Sequence, residues 1–296
     1  MYYTEDTILF YDGSFVKASD TRASLFSQSL HYGNGAFEGI RSYQTSAGPH
    51  IFKAAAHFHR LLYSAGKMHL QCPYSVNELI EIAYELIRKN NLKDAYIRPL
   101  VFAGENMSLT PASDSHIMMG TWHWGRYLGD TLSRVMISSY ERPNPKSCHV
   151  EAKVCGHYVN SILATQEAKA NNFDEALLLD NRGLVAEGSG ANIFFEKDGH
   201  LITPSKGNIL PGITRTTVFE ICRELHIPVQ EKEILPEEAK QADSAFFVGT
   251  AAEIAGILSL DDTIYPLEWK DSLGFLISNK YRQMVTHSEK IIPDSV

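Results

Sequence analysis

Lys153 lies in AKVCGHYVNS (152–161), among small, apolar and weakly polar residues, with Tyr158 five positions on and no acidic residue between them. An amine that forms a Schiff base must be neutral when it attacks, yet at an ordinary pKa near 10.4 only about one lysine in a few thousand is neutral at pH 7. A desolvating, uncharged neighbourhood favours the neutral form, and VCGHYV is of that kind. Three other places carry complementary chemistry. Gly212-Ile213-Thr214, entering a helix after Pro211, offers backbone N–H groups and a hydroxyl where the positive end of a helix dipole receives phosphate. Gly249-Thr250-Ala251-Ala252, at the end of an apolar run, lets an anion approach the backbone. Glu187 in VAEGSGAN sets a carboxylate beside two glycines, where it could bond a protonated ring nitrogen. Arg60, after His57 and His59, is a further phosphate candidate.

Each feature alone also has an ordinary reading: a helix start, a turn, an exposed glutamate, a solvated helical arginine. Together a lysine, a carboxylate for a pyridine nitrogen and a phosphate cradle match the aldehyde, ring and phosphate of pyridoxal 5'-phosphate. Cys148, His149, Cys155 and His157 in CHVEAKVCGH raise the question of metal. Their spacing fits none of the usual zinc patterns, and on extended chain they point to both faces, so no metal site is expected.

The elements that must position these groups follow from pattern. ILFYDGSFVKA reads as a hairpin about Asp12-Gly13, and GAFEGIRSYQTSAGPHIF as a second with a longer Gly-Pro loop. Apolar residues at helical spacing predict helices in HFHRLLYSAGKM and SVNELIEIAYELIRKNN, and DAYIRPLVFAG and SHIMMGTWHWG read as buried strands. After a stretch without period from about Arg126, RVMISSYE restarts β structure and a helix follows across SILATQEAKANN. EALLLDNRGLVAEGSGANIFFEKDGHLITP reads as a meander, PGITRTTVFEICREL as a helix, SAFFVGTAAEI as an apolar strand, and the region of Ser272 to Val285 as a last helix. The expected architecture is mixed α+β in two domains: a smaller α/β domain over 1–126, a loop over 127–133, and a larger β-rich α/β domain over 134–296.

Bulk properties narrow the function. A chain of 296 residues, 44% hydrophobic, can bury a large core. With 27 basic and 35 acidic residues, net −8, it lacks the basic surplus that nucleic acid or an anionic membrane would call for. A small-molecule ligand is the expectation. MYYTEDTILF has no signal-peptide pattern and no apolar run could span a bilayer, so a cytoplasmic protein is expected. Cys72, Cys148, Cys155 and Cys222 fit reduced thiols.

The segments HYGNGAFEGIR (31–41), HFHRLLYSA, AYIRPLVFAG, AKVCGHYVNS, DNRGLVAEGSGANIF, LPGITR and FFVGTAAEI (246–254), in that order, resemble the fold-type IV pyridoxal-phosphate enzymes, and among them the branched-chain amino acid aminotransferases. The resemblance covers nearly the whole chain. It implies that Lys153 is the Schiff-base lysine, Tyr158 the partner of the cofactor's phenolic oxygen and Glu187 the carboxylate on its ring nitrogen. Arg60, Gly212, Ile213, Thr214 and Thr250 would hold the phosphate. Tyr32, Phe37, Tyr96, Arg98, Tyr127, Thr250 and Ala251 would contact substrate, with Phe37, Tyr96 and Tyr127 as an aromatic wall and Tyr32 reaching across from a partner subunit. The implied fold is the two-domain fold-type IV one, with the cofactor between the domains.

The implied activity is reversible transamination of L-leucine, L-isoleucine and L-valine with 2-oxoglutarate, giving branched 2-oxo acids and L-glutamate. The implied assembly is a homodimer, with a hexamer of three dimers as the alternative. A D-amino acid or amine transaminase, an aminodeoxychorismate lyase and a non-catalytic binder would share much of the cofactor set; the GTAAE and AYIR stretches favour the branched-chain reading. Many relatives have two glycines where this chain has Val154-Cys155-Gly156-His157, a departure that bears on the pocket floor and fine substrate preference rather than on the chemistry.

Overall fold

The computed structural model describes residues 3–125, 128 and 131–286. By contacts the chain divides into two units: residues up to Trp124 with Ala152–Gly156 and the described residues from Val285, and Gly125–Glu151 with His157–Met284. The short stretch that carries Lys153 thus belongs with the first unit.

The first unit is built on a seven-stranded antiparallel sheet. Its order is Ser14–Lys17, Ile8–Tyr11, Ser115–Trp122, Ala95–Ala103, Ile40–Thr45, Gly48–Ile51, with Gly35–Phe37 also paired to Ala95–Ala103. The first hairpin turns at Asp12 and Gly13, both at positive φ, as the sequence predicts. The second turns at Ser46-Ala47 instead of at Gly-Pro. Gly48 and Pro49 lie in its outer strand, an edge position where the missing proline N–H is tolerated.

Two helices, Ala54–Lys67 and Val76–Lys89, cover one face of this sheet. The second opens with a capping box in which Ser75 and Glu78 satisfy each other's backbone N–H. Phe58, Leu61, Leu79, Ala83 and Leu86 from the helices pack with Ala95, Ile97, Val101 and Ala103. Those strand positions alternate, so Tyr96, Arg98 and Leu100 point to the opposite face. Phe37 pairs with Leu100 and Arg41 with Tyr96, which puts both on that same face.

Gly35–Phe37 and Ile40–Thr45 lie one after the other along the same side of Ala95–Ala103, parted at Glu38-Gly39. Opposite the gap stands Pro99, whose carbonyl accepts the Glu38 N–H at 3.0 Å. A strand residue directs its N–H and C=O to the same side, so the donor that Pro99 lacks is the one this gap would have used.

The second unit holds a nine-stranded mixed sheet. Its order is Val185–Gly188, Glu175–Leu179, Ser133–Glu141, Glu253–Leu260, Ser244–Gly249, Asn192–Lys197, His200–Pro204, Val229–Lys232, with Thr263–Ile264 paired to Glu253–Leu260. The expected meander is therefore interrupted. Val185–Gly188 is an edge strand beside Glu175–Leu179, whereas Asn192–Lys197 lies across the sheet between Ser244–Gly249 and His200–Pro204. SAFFVGTAAEI is likewise two antiparallel strands joined by a turn at Thr250–Ala252 rather than one.

Phe195 and Phe247 face one side of this sheet with Ile193, Ile257 and Leu260. Their neighbours Phe194 and Phe246 stack on the other at 5.4 Å, with Phe219 of the Ile213–Glu224 helix 5.8 Å from Phe194. The helix expected over SILATQEAKANN starts earlier, at Tyr158, after a 3-10 turn at Cys155–His157, and packs Ala164 and Ala168 on Ala176 and Leu178.

Candidate active site

In the first unit, the sheet face turned away from the two helices gathers Phe37, Tyr96 and Arg98, with Lys153 beside Phe37. Lys153 Nζ lies 4.9 Å from the centre of the Phe37 ring. The Arg98 guanidinium lies 4.7 Å from that ring and 5.3 Å from the Tyr96 ring, and it donates to the Tyr96 hydroxyl at 3.0 Å. Arg98 Nε is buried and has no hydrogen-bond partner. A buried guanidinium N–H left unsatisfied in this way suits an incoming carboxylate. Trp124 meets Tyr96 edge-on at 4.6 Å, and Trp122 lies 5.3 Å away.

The Lys153 peptide is held on both sides. Its N–H donates to Ser64 Oγ at 3.0 Å and its carbonyl accepts the Phe37 N–H at 3.1 Å. Just beyond, the Gly156 N–H donates to the Gly33 carbonyl at 3.1 Å. Gly33 has φ of +70°, and a Cβ there would sit 2.7 Å from Gly156 Cα, so the two segments approach this closely only because Gly33 has no side chain. Cys155 tucks its Sγ against Gly35, and burial pushes its thiol pKa up.

Arg60 meets a partner that the sequence reading missed. Its Nε and one terminal nitrogen donate to the two oxygens of Glu38 at 2.6 and 2.9 Å, and His57 Nδ1 lies 2.8 Å from Glu38 Oε2. Glu38 is fully buried. Burial alone would raise its carboxyl pKa, but the Arg60 charge and the His57 hydrogen bond outweigh it and hold the group well below the ordinary carboxylate range.

In the second unit, Glu187 sits where the register slips between Val185 and Glu187. A bulge of this kind bends the strand and re-aims a side chain. The carboxylate is buried; it accepts from Asn192 Nδ2 at 2.8 Å and from the Leu210 N–H at 3.1 Å, and Arg142 Nε stands 3.0 Å away as an ion pair whose angle makes no hydrogen bond. Arg142 and Asn192 are also absent from the sequence reading. Asn192 could have been suspected from its place five residues after Glu187 in VAEGSGAN, whereas nothing local marks Arg142.

Gly212 is the N-cap of the Ile213–Glu224 helix and gives it no side-chain cap. A Cβ on Gly212 would lie 2.0 Å from Asn192 Oδ1, which ties this helix start to the residue that holds Glu187. Ile213 and Thr214 open the helix, Thr214 being buried. Tyr158 begins the Tyr158–Ala170 helix, and Thr250 and Ala251 form the turn before Glu253, a buried residue with φ of +56°.

Two expected substrate contacts are not part of these groups. Tyr32 is half-exposed at the end of Gln28–Tyr32 and donates to the Met107 carbonyl at 3.2 Å. Tyr127 lies outside the described residues.

The family described as "Amino-transferase class IV" matches residues 35–260. The branched-chain-amino-acid aminotransferase of Pseudomonas aeruginosa is 43% identical over 262 residues, covering 86% of this chain and 85% of its own. Among solved structures, the branched-chain aminotransferase of Thermoproteus uzoniensis with norvaline superposes with a TM-score of 0.91 at 38% identity, covering 94% of each chain. A T.th. branched-chain amino acid aminotransferase complexed with N-(5'-phosphopyridoxyl)-L-glutamate does so at 0.91 and 34%, covering 96% of this chain and 95% of its own.

The chain belongs to the class IV aminotransferases, with their fold-type IV architecture and their pyridoxal-phosphate cofactor. Within them its place is among the branched-chain amino acid aminotransferases, transaminases that act on branched-chain amino acids. The residues present fit the cofactor. The uncapped helix start at Gly212 suits a phosphate, the buried Glu187 a protonated ring nitrogen, and Lys153 an aldehyde. Among the described residues no helix is long and apolar enough to cross a membrane.

Proposed function

We propose that the protein catalyses reversible transamination between L-leucine, L-isoleucine or L-valine and 2-oxoglutarate, yielding the branched 2-oxo acids and L-glutamate. The observation that carries this reading is the pairing of aromatic surface with one unsatisfied guanidinium N–H beside Lys153. Phe37 and Tyr96 accept an aliphatic side chain, and Arg98 receives the distal carboxylate of the five-carbon partner. The glutamate adduct held by the T.th. relative is in keeping with such dual use.

When bound, pyridoxal phosphate supplies the electron sink that makes the amino acid's α-proton removable. Lys153 Nζ would hold the cofactor's aldehyde carbon and, once substrate has displaced it, would carry the α-carbon proton to that same carbon within one half-reaction, the second oxo acid reversing the transfer. Glu187 keeps a proton on the ring nitrogen, steadied by Asn192, Arg142 and the Leu210 N–H. Tyr158 donates to the phenolic oxygen. Arg60, the N–H groups of Ile213 and Thr214 after Gly212, and Thr250 hold the phosphate, and the backbone at Thr250-Ala251 takes the α-carboxylate. Tyr127, by the family resemblance, belongs to the aromatic wall.

The working assembly in this reading is a homodimer in the cytoplasm. Leu25, Phe26, Leu30, Met107 and Leu109 are exposed, Leu109 at 86%. Their two segments are joined by bonds from Asn106 N to Phe26 O and from Gln28 Nε2 to the Ser108 and Thr110 carbonyls, so they form one apolar patch. A patch of this kind is a natural self-association surface. Tyr32 stands within it, where it could reach the other copy's site. The four thiols are unpaired, as a reducing compartment requires.

The test is a half-reaction. Purified protein loaded with pyridoxal phosphate is mixed with L-leucine, D-leucine or a primary amine, and the 2-oxo acid or carbonyl product is quantified. Release of 4-methyl-2-oxopentanoate from L-leucine alone, in stoichiometric yield until 2-oxoglutarate is added, is expected. Product only from D-amino acids or amines would sink the assignment.

A further inference from the structure

Arg60 does not hold its place by helix geometry alone. The Ala54–Lys67 helix sets His57, Arg60 and Ser64 at spacings of three and four, one facing stripe. Ser64 bonds the Lys153 N–H, while His57 and Arg60 converge on Glu38. Glu38 follows Phe37, whose own N–H bonds the Lys153 carbonyl. A single buried carboxylate at the gap opposite Pro99 therefore fixes the guanidinium plane from a point one residue away from the lysine's backbone clamp.

The arrangement is more specific than a generic ion pair. The guanidinium is engaged through Nε and a terminal nitrogen, the two-pronged geometry that sets its plane as well as its position. Burial pushes the pKa of His57 down against the pull of Glu38, so the ring is neutral, and a neutral ring facing a carboxylate carries its proton on Nδ1. Both donors thus spend their bonds on orienting one carboxylate, which in turn orients Arg60.

We infer that Glu38 is a positioning residue for the cofactor's phosphate, acting through Arg60, with His57 fixing the carboxylate in place. This rests on the reading that Arg60 is a phosphate ligand. Without Glu38 the arginine would have to be ordered at the moment of binding. Immobilising a rotamer-rich side chain corresponds to about a two- to twelvefold loss of affinity.

The experiment titrates the apo-protein with pyridoxal phosphate and, separately, with pyridoxal, which lacks the phosphate. Quenching of tryptophan fluorescence gives both dissociation constants. Glu38→Gln is expected to weaken pyridoxal phosphate about two- to twelvefold and to leave pyridoxal within about twofold of the parent protein. Arg60→Lys is the reference and is expected to narrow the gap between the two ligands further. Equal loss of both ligands in Glu38→Gln would mean a merely structural role and overturn the inference, as would no change in either. If Arg60→Lys leaves the gap intact, the assignment of Arg60 to phosphate falls instead. Should Glu38→Gln fail to fold by circular dichroism, Glu38→Asp keeps the charge but is too short for the two-pronged contact, and the same selective loss is expected.

Discussion

Replacing Arg98 with alanine tests the proposal that one pocket serves two kinds of substrate. In the free protein the guanidinium makes a hydrogen bond to the Tyr96 hydroxyl and lies over the Phe37 and Tyr96 rings. Each ring contact is worth about 0.5–2 kcal/mol. Removing the side chain also removes a buried Nε donor without a partner, which relieves about 1–3 kcal/mol. The relief offsets only part of the two ring contacts and the hydrogen bond that are lost, so Arg98→Ala should lower the unfolding free energy by about 1–2 kcal/mol. Substrate recognition does not offset in the same way. Hydrogen bonds to a charged group contribute about 1.5–3 kcal/mol, and each 1.36 kcal/mol is tenfold in rate, so kcat/KM for 2-oxoglutarate should fall roughly 10- to 150-fold. For 4-methyl-2-oxopentanoate, which has no second carboxylate for Arg98 to bind, no comparable fall is expected, so the ratio of the two kcat/KM values should change by most of that factor. Steady-state kinetics with each oxo acid against a fixed amino donor reads both values. An equal fall in both would refute the assignment of Arg98 to the distal carboxylate.

Three further outcomes follow from local geometry. A Cβ on Gly39 would lie 2.1 Å from the Tyr96 hydroxyl, so Gly39→Ala should lower stability by about 1–3 kcal/mol in urea unfolding and reduce kcat/KM for L-leucine. The Asp180 carboxyl pKa would be raised by burial, but N–H bonds from Arg182 and Leu184 and the Arg182 side chain hold it below its ordinary value of 3.8. The unfolded chain therefore binds more protons as pH falls below that value; the stability Asp180 contributes is present above about pH 3.8 and lost on acidification. Asp180→Asn should accordingly flatten the decline of the urea midpoint between about pH 5 and pH 3. Placing a charge in the apolar patch with Leu109→Asp should shift sedimentation toward the monomer while far-ultraviolet circular dichroism stays unchanged; an unaltered dimer would remove that patch from the interface.

Much of the secondary structure could be read along the chain, because the signals that form it are local. The Asp12-Gly13 hairpin, the capped helix after Ser75 and the alternation in AYIRPLVFA depend on neighbours within a few residues. The family, too, was legible in its ordered segments. What escaped was set by distant partners. Nothing in LVAEGSGANIFF says that its two strands will sit at separate places in the sheet, since that order is decided by Glu175–Leu179, Ser133–Glu141, Glu253–Leu260 and Ser244–Gly249 lying between them. The ionic contacts behaved likewise. Glu38 is 22 residues from Arg60, and Arg142 and Glu187 come from different strand neighbourhoods with no shared period to announce them. Sequence thus points to groups able to do chemistry more readily than to the groups that hold them still.

The double clamp on the Lys153 peptide has a kinetic consequence. With its N–H tied to Ser64 and its carbonyl to Phe37, the backbone at Lys153 is a fixed pivot. In the proposed transamination the amine visits more than one atom, and on a fixed pivot it does so by rotating its four-carbon stem. Such rotations belong to a far faster regime than the microsecond-to-millisecond opening of loops. If Lys153 carries the proton as proposed, its delivery need not wait on movement of the chain segment that holds it.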